Sequence, residues 1–430
     1  MDRKLVPHHS HWGAFNAVVE DGRVVGAVPF DLDPDPSPLI EATPDAVHSP
    51  TRITRPMVRS GWLQNGQVSG AGRGREPFVP VEWEEALDLV AGELARVRRE
   101  GGPAAIMGGS QGWSSAGHFH EARGQLRRFL AAGGGFVDQT SNYSFGTALT
   151  FLPHILGSAQ GVTGPLTSWQ SIARHTRLFV LFAGANPKNT QVAKGGCAWH
   201  GTSGAFAALA QAGVRVVNIS PIREDGPEAV SPEWIPIRPN TDTAMMLALA
   251  HTLVSERRHD KAFLERYCSG FDRVLPYLTG AKDGVPKDAA WAAAITGVPA
   301  GMIRALARQM WATRTMLTAS WSLQRADHGE QPYWALVLLA ACLGQIGLPA
   351  AGSASAAARG PRFPSPRCHF RGRQSRCCPI RRGWRYRPPA SPTACGTRAS
   401  ATTITARVPP IPTSGSSTGP AATRFITIRI

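Results

Sequence analysis

Hydrophobic and polar positions alternate from Ala14 to Phe30 on either side of Asp21-Gly22, a pair that tolerates left-handed backbone and suits a tight hairpin, so the chain opens on a small β element. A Pro-rich connector follows. From Val81 the period lengthens: Trp83, Leu87, Val90, Leu94 and Val97 recur at helical spacing, with Glu82, Glu84 and Glu85 at the start and Arg96, Arg98 and Arg99 at the end. That order of charge complements the helix dipole. Beyond it, strand-like and helix-like stretches take turns: 104–107 then 119–130, 178–182 then 204–212, 214–219 then 241–255. In the last of these, Met246, Leu249 and Leu253 share a face and Asp242 lies near the helix start, where an anion is favoured. Shorter helices over 261–278, 289–295 and 302–313 lead to a strand at 315–319. The alternation predicts an α/β fold with a largely parallel, doubly wound, Rossmann-like sheet, in which polar loops beyond the strand C-termini bind the ligand.

After Gly344-Gln345-Ile346-Gly347-Leu348-Pro349 the pattern stops, and Arg, Pro, Ser, Ala and Thr dominate without a period suited to a packed element. The organisation expected is a β-rich segment over 1–60, a first α/β region over 61–165, a Rossmann-like α/β region over 166–349, and a disordered tail over 350–430. Charge sharpens that boundary. The chain of 430 residues carries a formal net charge of +16, but residues 351–430 hold 14 Arg and no Lys, Asp or Glu. The first 350 residues therefore have 32 basic side chains, 46 less 14, against 30 acidic ones. A basic surface for nucleic acid is thus expected nowhere but in the tail, and no specific nucleic acid is expected there. The string Ala350-Ala351-Gly352-Ser353-Ala354-Ser355-Ala356 has an encoding that reads Gly-Gly-Leu-Gly-Phe-Gly two bases later, so a frameshift near Pro349 is expected to have replaced the native continuation.

Cys197, Cys268 and Cys342 are the cysteines of the first 350 residues and form no CxxC pair, which fits a reducing compartment better than a disulfide framework or a zinc site. With no apolar leader after Met1-Asp2-Arg3-Lys4, the expected location is cytoplasmic, or periplasmic if a leader is missing from the chain. The apolar run 333–343 is shorter than the ~20 residues that span a bilayer, so no membrane span is expected. Gly70-Ala71-Gly72-Arg73-Gly74 is read as a simple loop, because Glu76-Pro77 follows instead of a helix start. His8, His9 and His11, and His118 and His120, are read as solvated loop histidines without a third metal ligand.

The informative segments are longer and occur in one order. They are Ser10-His11-Trp12-Gly13-Ala14-Phe15, Arg55-Pro56-Met57-Val58-Arg59, Gly61-Trp62-Leu63, Gly109-Ser110-Gln111-Gly112-Trp113-Ser114 and Asn142-Tyr143-Ser144-Phe145-Gly146-Thr147. Ala185-Asn186-Pro187, Ile219-Ser220-Pro221-Ile222-Arg223, Arg238-Pro239-Asn240-Thr241-Asp242, Trp321-Ser322-Leu323-Gln324-Arg325 and His328-Gly329-Glu330-Gln331 continue the series. Together they resemble the dimethyl sulfoxide, trimethylamine N-oxide and biotin sulfoxide reductase family over about residues 8 to 349.

The resemblance implies molybdenum held between two molybdopterin guanine dinucleotides (bis-MGD), with Ser144 as a protein ligand to the metal. A soft sulfur set stabilises a metal that cycles between oxidation states, and a hard oxygen suits its high-valent form. It implies that the Trp113 indole N–H points at the oxygen being transferred. Gln111 departs from the family, whose sulfoxide reductases often have tyrosine there; its amide also donates. Ser114, Asn189, Thr190, Ile219, Ser220, Pro221, Arg223, Asn240, Asp242, Trp321, Ser322 and Arg325 match, with Trp113, the positions that contact the dinucleotides. The implied reaction is two-electron removal of oxygen from an S-oxide or N-oxide, with the biotin or methionine sulfoxide type favoured and dimethyl sulfoxide or trimethylamine N-oxide as the alternatives, and with electrons from a reduced nicotinamide cofactor or a redox protein. No cysteine precedes Cys197, so no iron–sulfur cluster is expected. Family chains are nearly twice as long, so an inactive truncated product is the alternative expectation.

Overall fold

The computed structural model describes residues 2–66, 72–110, 121–139, 142, 144–157, 167–192 and 200–350, with the backbone of 352–355. Residues 1–376 form one compact unit. It starts with an antiparallel sheet of β1 (Arg3–Ser10), β2 (Gly13–Glu20) and β3 (Arg23–Pro29) in the order β1-β2-β3. Asp21 and Gly22 take φ of 47° and 78°, the left-handed pair that a two-residue hairpin turn requires. β1 was not expected: its six N-terminal residues are exposed, and it is placed by main-chain pairing to β2, from Arg3 opposite Glu20 to Ser10 opposite Gly13. His8 and His9 are accordingly strand residues and not loop residues, with the His8 ring edge-on to Phe15 at 5.1 Å.

Short helices α1 (Thr43–His48) and α2 (Ser60–Asn65) precede the long α3 (Trp83–Gly101), and a two-stranded sheet pairs β4 (Met57–Arg59) with β5 (Phe78–Pro80). The carboxylate of Glu76, just before β5, pairs with Arg59 at 2.8 Å and accepts the Gly61 N–H. A Cβ on Gly72 would lie 2.0 Å from that carboxylate. β6 (Met107–Gly108) pairs in parallel with β7 (Val137–Asp138), and α4 (Ala122–Ala132) lies between them in the chain. The helix α3 forms with its dipole complemented as expected, by Glu84 and Glu85 at the start and Arg98 and Arg99 at the end. The first part of its apolar stripe, however, faces out, with Trp83, Leu87 and Val90 more than half exposed, while Leu94 and Val97 are half-buried.

The second half is built on five parallel strands: β8 (Leu178–Phe182), β9 (Arg215–Ile219), β10 (Glu233–Ile235), β11 (Thr315–Ala319) and β12 (Gly352–Ser355). Their order is β10-β9-β8-β11-β12. β8 is a continuous apolar run and β11 alternates apolar residues with Thr315 and Thr318, and both are buried along their whole length, as expected for strands covered on both faces. One face packs on α5 (Gly146–Leu156), α8 (Asp242–Ser255), α11 (Ala289–Thr296), α12 (Ala300–Ala312) and α13 (Gln331–Leu343) through Met245, Met246, Leu249, Leu253, Met310 and Leu339. The other packs on α6 (Trp169–His175) and α7 (Thr202–Gln211), where Trp169, Phe206 and Leu209 close the layer. Helices α9 (Lys261–Tyr267) and α10 (Phe271–Leu278) replace the single stretch expected over 261–278, interrupted at Gly270, which caps α10 with φ 86°. No single helix among the described residues is long and apolar enough to cross a membrane.

The tail expectation needs one correction. β12 pairs with β11 from Met316 opposite Gly352 to Ala319 opposite Ser355, so the sheet runs past residue 349. A strand ladder is made of main-chain groups, so Gly-Ser-Ala-Ser adds an edge without carrying an apolar pattern that sequence reading detects.

Candidate functional site

Strand order decides where a ligand sits. From β8 the chain steps outward to β9 and β10, then returns to add β11 on the other side of β8. Loops after β8 and β11 therefore leave in opposite directions at the carboxyl edge, which opens a crevice at this switch point. Ser320 N–H, just past β11, donates to Phe182 O at 2.9 Å and ties the two loops at their bases.

The loop after β8 turns through Ala183 and Gly184 at φ of 62° and 72°. A Cβ on Gly184 would lie 2.5 Å from the Asp225 Cβ and 2.6 Å from its carbonyl oxygen, so glycine alone permits this approach to the loop after β9. Asn186 Nδ2 reaches Glu224 O at 2.8 Å and Ala185 N–H reaches Asp225 O at 2.8 Å, which joins the two loops. The short helical turn Pro187–Thr190 then presents Asn189 at the surface, while the Thr190 hydroxyl donates back to Pro187 O at 2.7 Å. After β9, Ile219 and Ser220 are buried, and the Ser220 hydroxyl donates to Asp225 at 2.8 Å. The same turn exposes Pro221 and Arg223. The Ser220 hydroxyl thus shapes the turn, and Arg223 is the side chain free to meet an anion.

Asn240 occupies the left-handed region at φ 63° immediately before α8, exposed, and Asp242 is the first residue of that helix. Asp242 is only 3% exposed, and its Oδ1 has no hydrogen-bond partner among the described residues. Burial pushes its carboxyl up to about 6, against a smaller downward pull from its own backbone N–H. A buried carboxylate oxygen without a donor is rare, and it fits a ligand that brings N–H groups, as the guanine edge does.

Beyond β11, the turn Trp321–Gln324 exposes Ser322 and is followed by exposed Arg325. Trp321 lies between Phe145, ring centres 5.3 Å apart, and Tyr333, 6.0 Å apart. Phe145 adjoins Ser144, which is exposed in the turn that enters α5. Asn142 Oδ1 accepts the Phe145 N–H at 2.9 Å and sets this turn. The first turn of α5 has no side-chain cap of its own; the Ala148 N–H instead donates at 2.9 Å to Oε1 of buried Gln324, 176 positions away. The Tyr333 hydroxyl donates to Ser320 O at 2.7 Å, and burial holds that phenol far above its ordinary value, with Gln324 and Arg325 pulling the other way. Asn142, Gln324 and Tyr333 are absent from the sequence-based site. Gln324 was visible as the one polar residue of the Trp321–Arg325 motif left without a role.

The structure brings the Ser144 turn onto the loop after β11, and the loops after β8 and β9 onto each other. Gln111, Trp113 and Ser114 lie outside the described residues. Among the described residues no group of three or more His, Cys, Asp and Glu has the arrangement of a metal site.

Switch-point loops on a sheet of parallel strands covered by helices on both faces define a doubly wound α/β protein. The family models place it further: residues 8–48 match the molybdopterin oxidoreductase N-terminal domain and residues 52–376 match molybdopterin oxidoreductase, so the chain belongs to the molybdopterin oxidoreductase family. It is 48% identical over 329 residues to biotin sulfoxide reductase of Cereibacter sphaeroides, covering 76% of this chain and 44% of that protein. It is 44% identical over 348 residues to dimethyl sulfoxide/trimethylamine N-oxide reductase of Rhodobacter capsulatus, covering 80% and 42%. Against trimethylamine-N-oxide reductase 1 of Escherichia coli K12 the identity is 46% over 351 residues, covering 80% and 41%. The chain thus spans less than half the length of these relatives. Acetylene hydratase from Pelobacter acetylenicus shares the fold, with a TM-score of 0.52 at 18% identity over 80% of this chain and 44% of that one.

Proposed function

We propose that this chain is the cofactor-holding part of a molybdenum-dependent reductase that removes an oxygen atom from an S-oxide or N-oxide by two-electron transfer. The observation that carries the reading is the attachment of the Ser144 turn to the loop after β11, through the Phe145–Trp321 ring contact at 5.3 Å and the Ala148–Gln324 hydrogen bond at 2.9 Å. The names of the relatives supply the substrate class, S-oxides and N-oxides; within it we favour biotin or methionine sulfoxide over dimethyl sulfoxide and trimethylamine N-oxide.

Molybdenum held by two molybdopterin guanine dinucleotides supplies the redox chemistry when bound. Ser144, exposed at the turn, offers a hard oxygen to the metal. The Asp242 carboxylate would accept from guanine N–H groups, which gives its unpartnered Oδ1 a donor. Exposed Arg223 and Arg325 would meet phosphate oxygens, where a planar guanidinium donates twice. Asn189, Thr190, Asn240 and Ser322 would line the same crevice, with the Ile219–Pro221 backbone and the Trp321 ring as its walls. Trp113 and Gln111, which lie outside the described residues, are assigned as N–H donors to the oxygen being removed, where developing charge needs them, and Ser114 as a cofactor contact. Electrons are assigned to a reduced nicotinamide cofactor or a small redox protein, without an iron–sulfur cluster.

The test is turnover by the loaded protein of biotin sulfoxide, methionine sulfoxide and trimethylamine N-oxide with a reduced dye as donor. Sulfoxide reduction that exceeds N-oxide reduction supports the assignment, and inactivity toward all three removes it. A second reading has its own support: this chain holds part of the site and acts only with further polypeptide. Trp83, Leu87, Val90 and Phe78 are all more than half exposed, and Trp83 and Phe78 line a groove with Ile53, Pro56 and Met57. Apolar surface of this kind calls for a cover.

A further inference from the structure

Two carboxylates of the N-terminal connector reach the loop after β8 from more than 150 positions away. Asp33 is buried; its Oδ2 accepts from His200 Nδ1 at 2.7 Å and its Oδ1 accepts the His200 main-chain N–H at 3.0 Å. The same Oδ1 accepts the Asp35 N–H at 3.3 Å, so Asp33-Pro34-Asp35 is folded as one turn. Asp35 accepts from Gln191 Nε2 through both its Oδ1 and its main-chain carbonyl, each at 3.2 Å. Its Oδ2 accepts from the Ser203 hydroxyl at 2.6 Å. His200 and Ser203 flank the start of α7, where carboxylates are favoured by the helix dipole.

The loop from Ala183 to Gln191 is therefore held at both ends. Its first end is tied to the loop after β9 by Asn186 and Ala185, and its last residue to Asp35. Between them, Asn189 and Thr190 sit on a single helical turn in which Asn186 Oδ1 accepts the Lys188 N–H and the Thr190 hydroxyl donates to Pro187 O. Among the described residues, neither the Asn189 nor the Thr190 side chain bonds outside the turn. A buried carboxylate contributes little net stability even when fully hydrogen-bonded, and its return is a defined geometry.

We infer that Asp33 and Asp35 are positioning residues for the 183–191 loop: Asp33 folds the connector against His200, and Asp35 uses that anchor to hold Gln191 and with it the turn that carries Asn189 and Thr190. The inference rests on the reading of this loop as a dinucleotide cradle. Asp33 itself is a poor target, since removal of one partner of a buried pair destabilises the whole fold. Gln191→Leu is milder, because it keeps side-chain volume and removes only the donor to Asp35. Asp35→Asn is the conservative control: its amide oxygen still accepts from Gln191, and its amide N–H donates to the Ser203 oxygen.

The experiment uses the full chain, expressed with cofactor synthesis, and reads amide hydrogen exchange across 183–191, guanine nucleotide released per chain, and the thermal midpoint. Gln191→Leu is expected to speed exchange in this loop by about tenfold, the two 3.2 Å contacts of Gln191 Nε2 together being worth about one net hydrogen bond, and to lower nucleotide content, with the midpoint unmoved and Asp35→Asn close to wild type. Unchanged exchange in Gln191→Leu overturns the positioning role, as does full nucleotide content in a loosened loop. A wild-type chain that carries no nucleotide refutes the cradle reading itself, a result obtained before any substitution is made.

Discussion

Asp242→Asn is the substitution whose sign differs most between an empty and a filled site. Asp242 is 3% exposed with an oxygen that lacks a donor among the described residues, and burial raises its carboxyl from 3.8 to about 6. A raised acid binds its proton more tightly in the fold than in the unfolded chain. The stability that this proton supplies is present in full below about pH 4 and lost as pH rises through about 6. Roughly two pKa units at about 1.4 kcal/mol each give a cost on the order of 3 kcal/mol above pH 6 for keeping the carboxylate in place. Asparagine has the shape of the protonated acid and escapes that cost. The nucleotide-free Asp242→Asn chain should therefore melt with wild type at pH 4 and above it at pH 8, by roughly 4 °C for a fold of about 350 residues. With nucleotide bound the order reverses, because the carboxylate then has N–H donors and the amide does not match them. The assay is a set of thermal melts between pH 4 and 8, with and without bound nucleotide. A melting difference independent of pH, or a wild type that is the more stable empty protein at pH 8, refutes the argument that this carboxylate waits for a ligand.

Gln324→Leu should leave the Ala148 N–H unsatisfied and destabilise the fold by about 1–3 kcal/mol, with amide exchange rising first in the opening turn of α5; exchange that rises elsewhere instead would show that Gln324 does not hold the Ser144 turn. Gly184→Ala places a Cβ against the Asp225 carbonyl in a left-handed backbone, so a loss of about 1–3 kcal/mol in denaturant unfolding is expected, and a neutral outcome would mean that the two loops separate without cost.

How much of this was legible in the sequence follows from where the deciding information lies. The hairpin at Asp21-Gly22 was readable because its positive φ values select residue types. β8 and β11 were readable to the residue because a strand covered on both faces is built from apolar and β-branched residues throughout. β1, β10 and β12 were not, since an exposed or short edge strand is set by main-chain pairing, which leaves little trace in side-chain pattern. The apolar stripe of α3 was read correctly as a stripe, but periodicity does not say what covers it, and in this structure its first part is exposed. The site loops could be located from strand ends. The contacts that arrange them, Gln324 to Ala148 and Asp35 to Gln191, span 176 and 156 positions and leave no local signal.

The central claim is that the loops of this chain grip a molybdenum-bearing dinucleotide with Ser144 at the metal. Metal and nucleotide analysis of the purified full chain, expressed with cofactor synthesis, tests it most directly. The account predicts about one molybdenum per chain together with guanine nucleotide, and for Ser144→Ala a changed metal spectrum with the nucleotide retained. Molybdenum near zero in the wild type, or a Ser144→Ala spectrum identical to wild type, contradicts it.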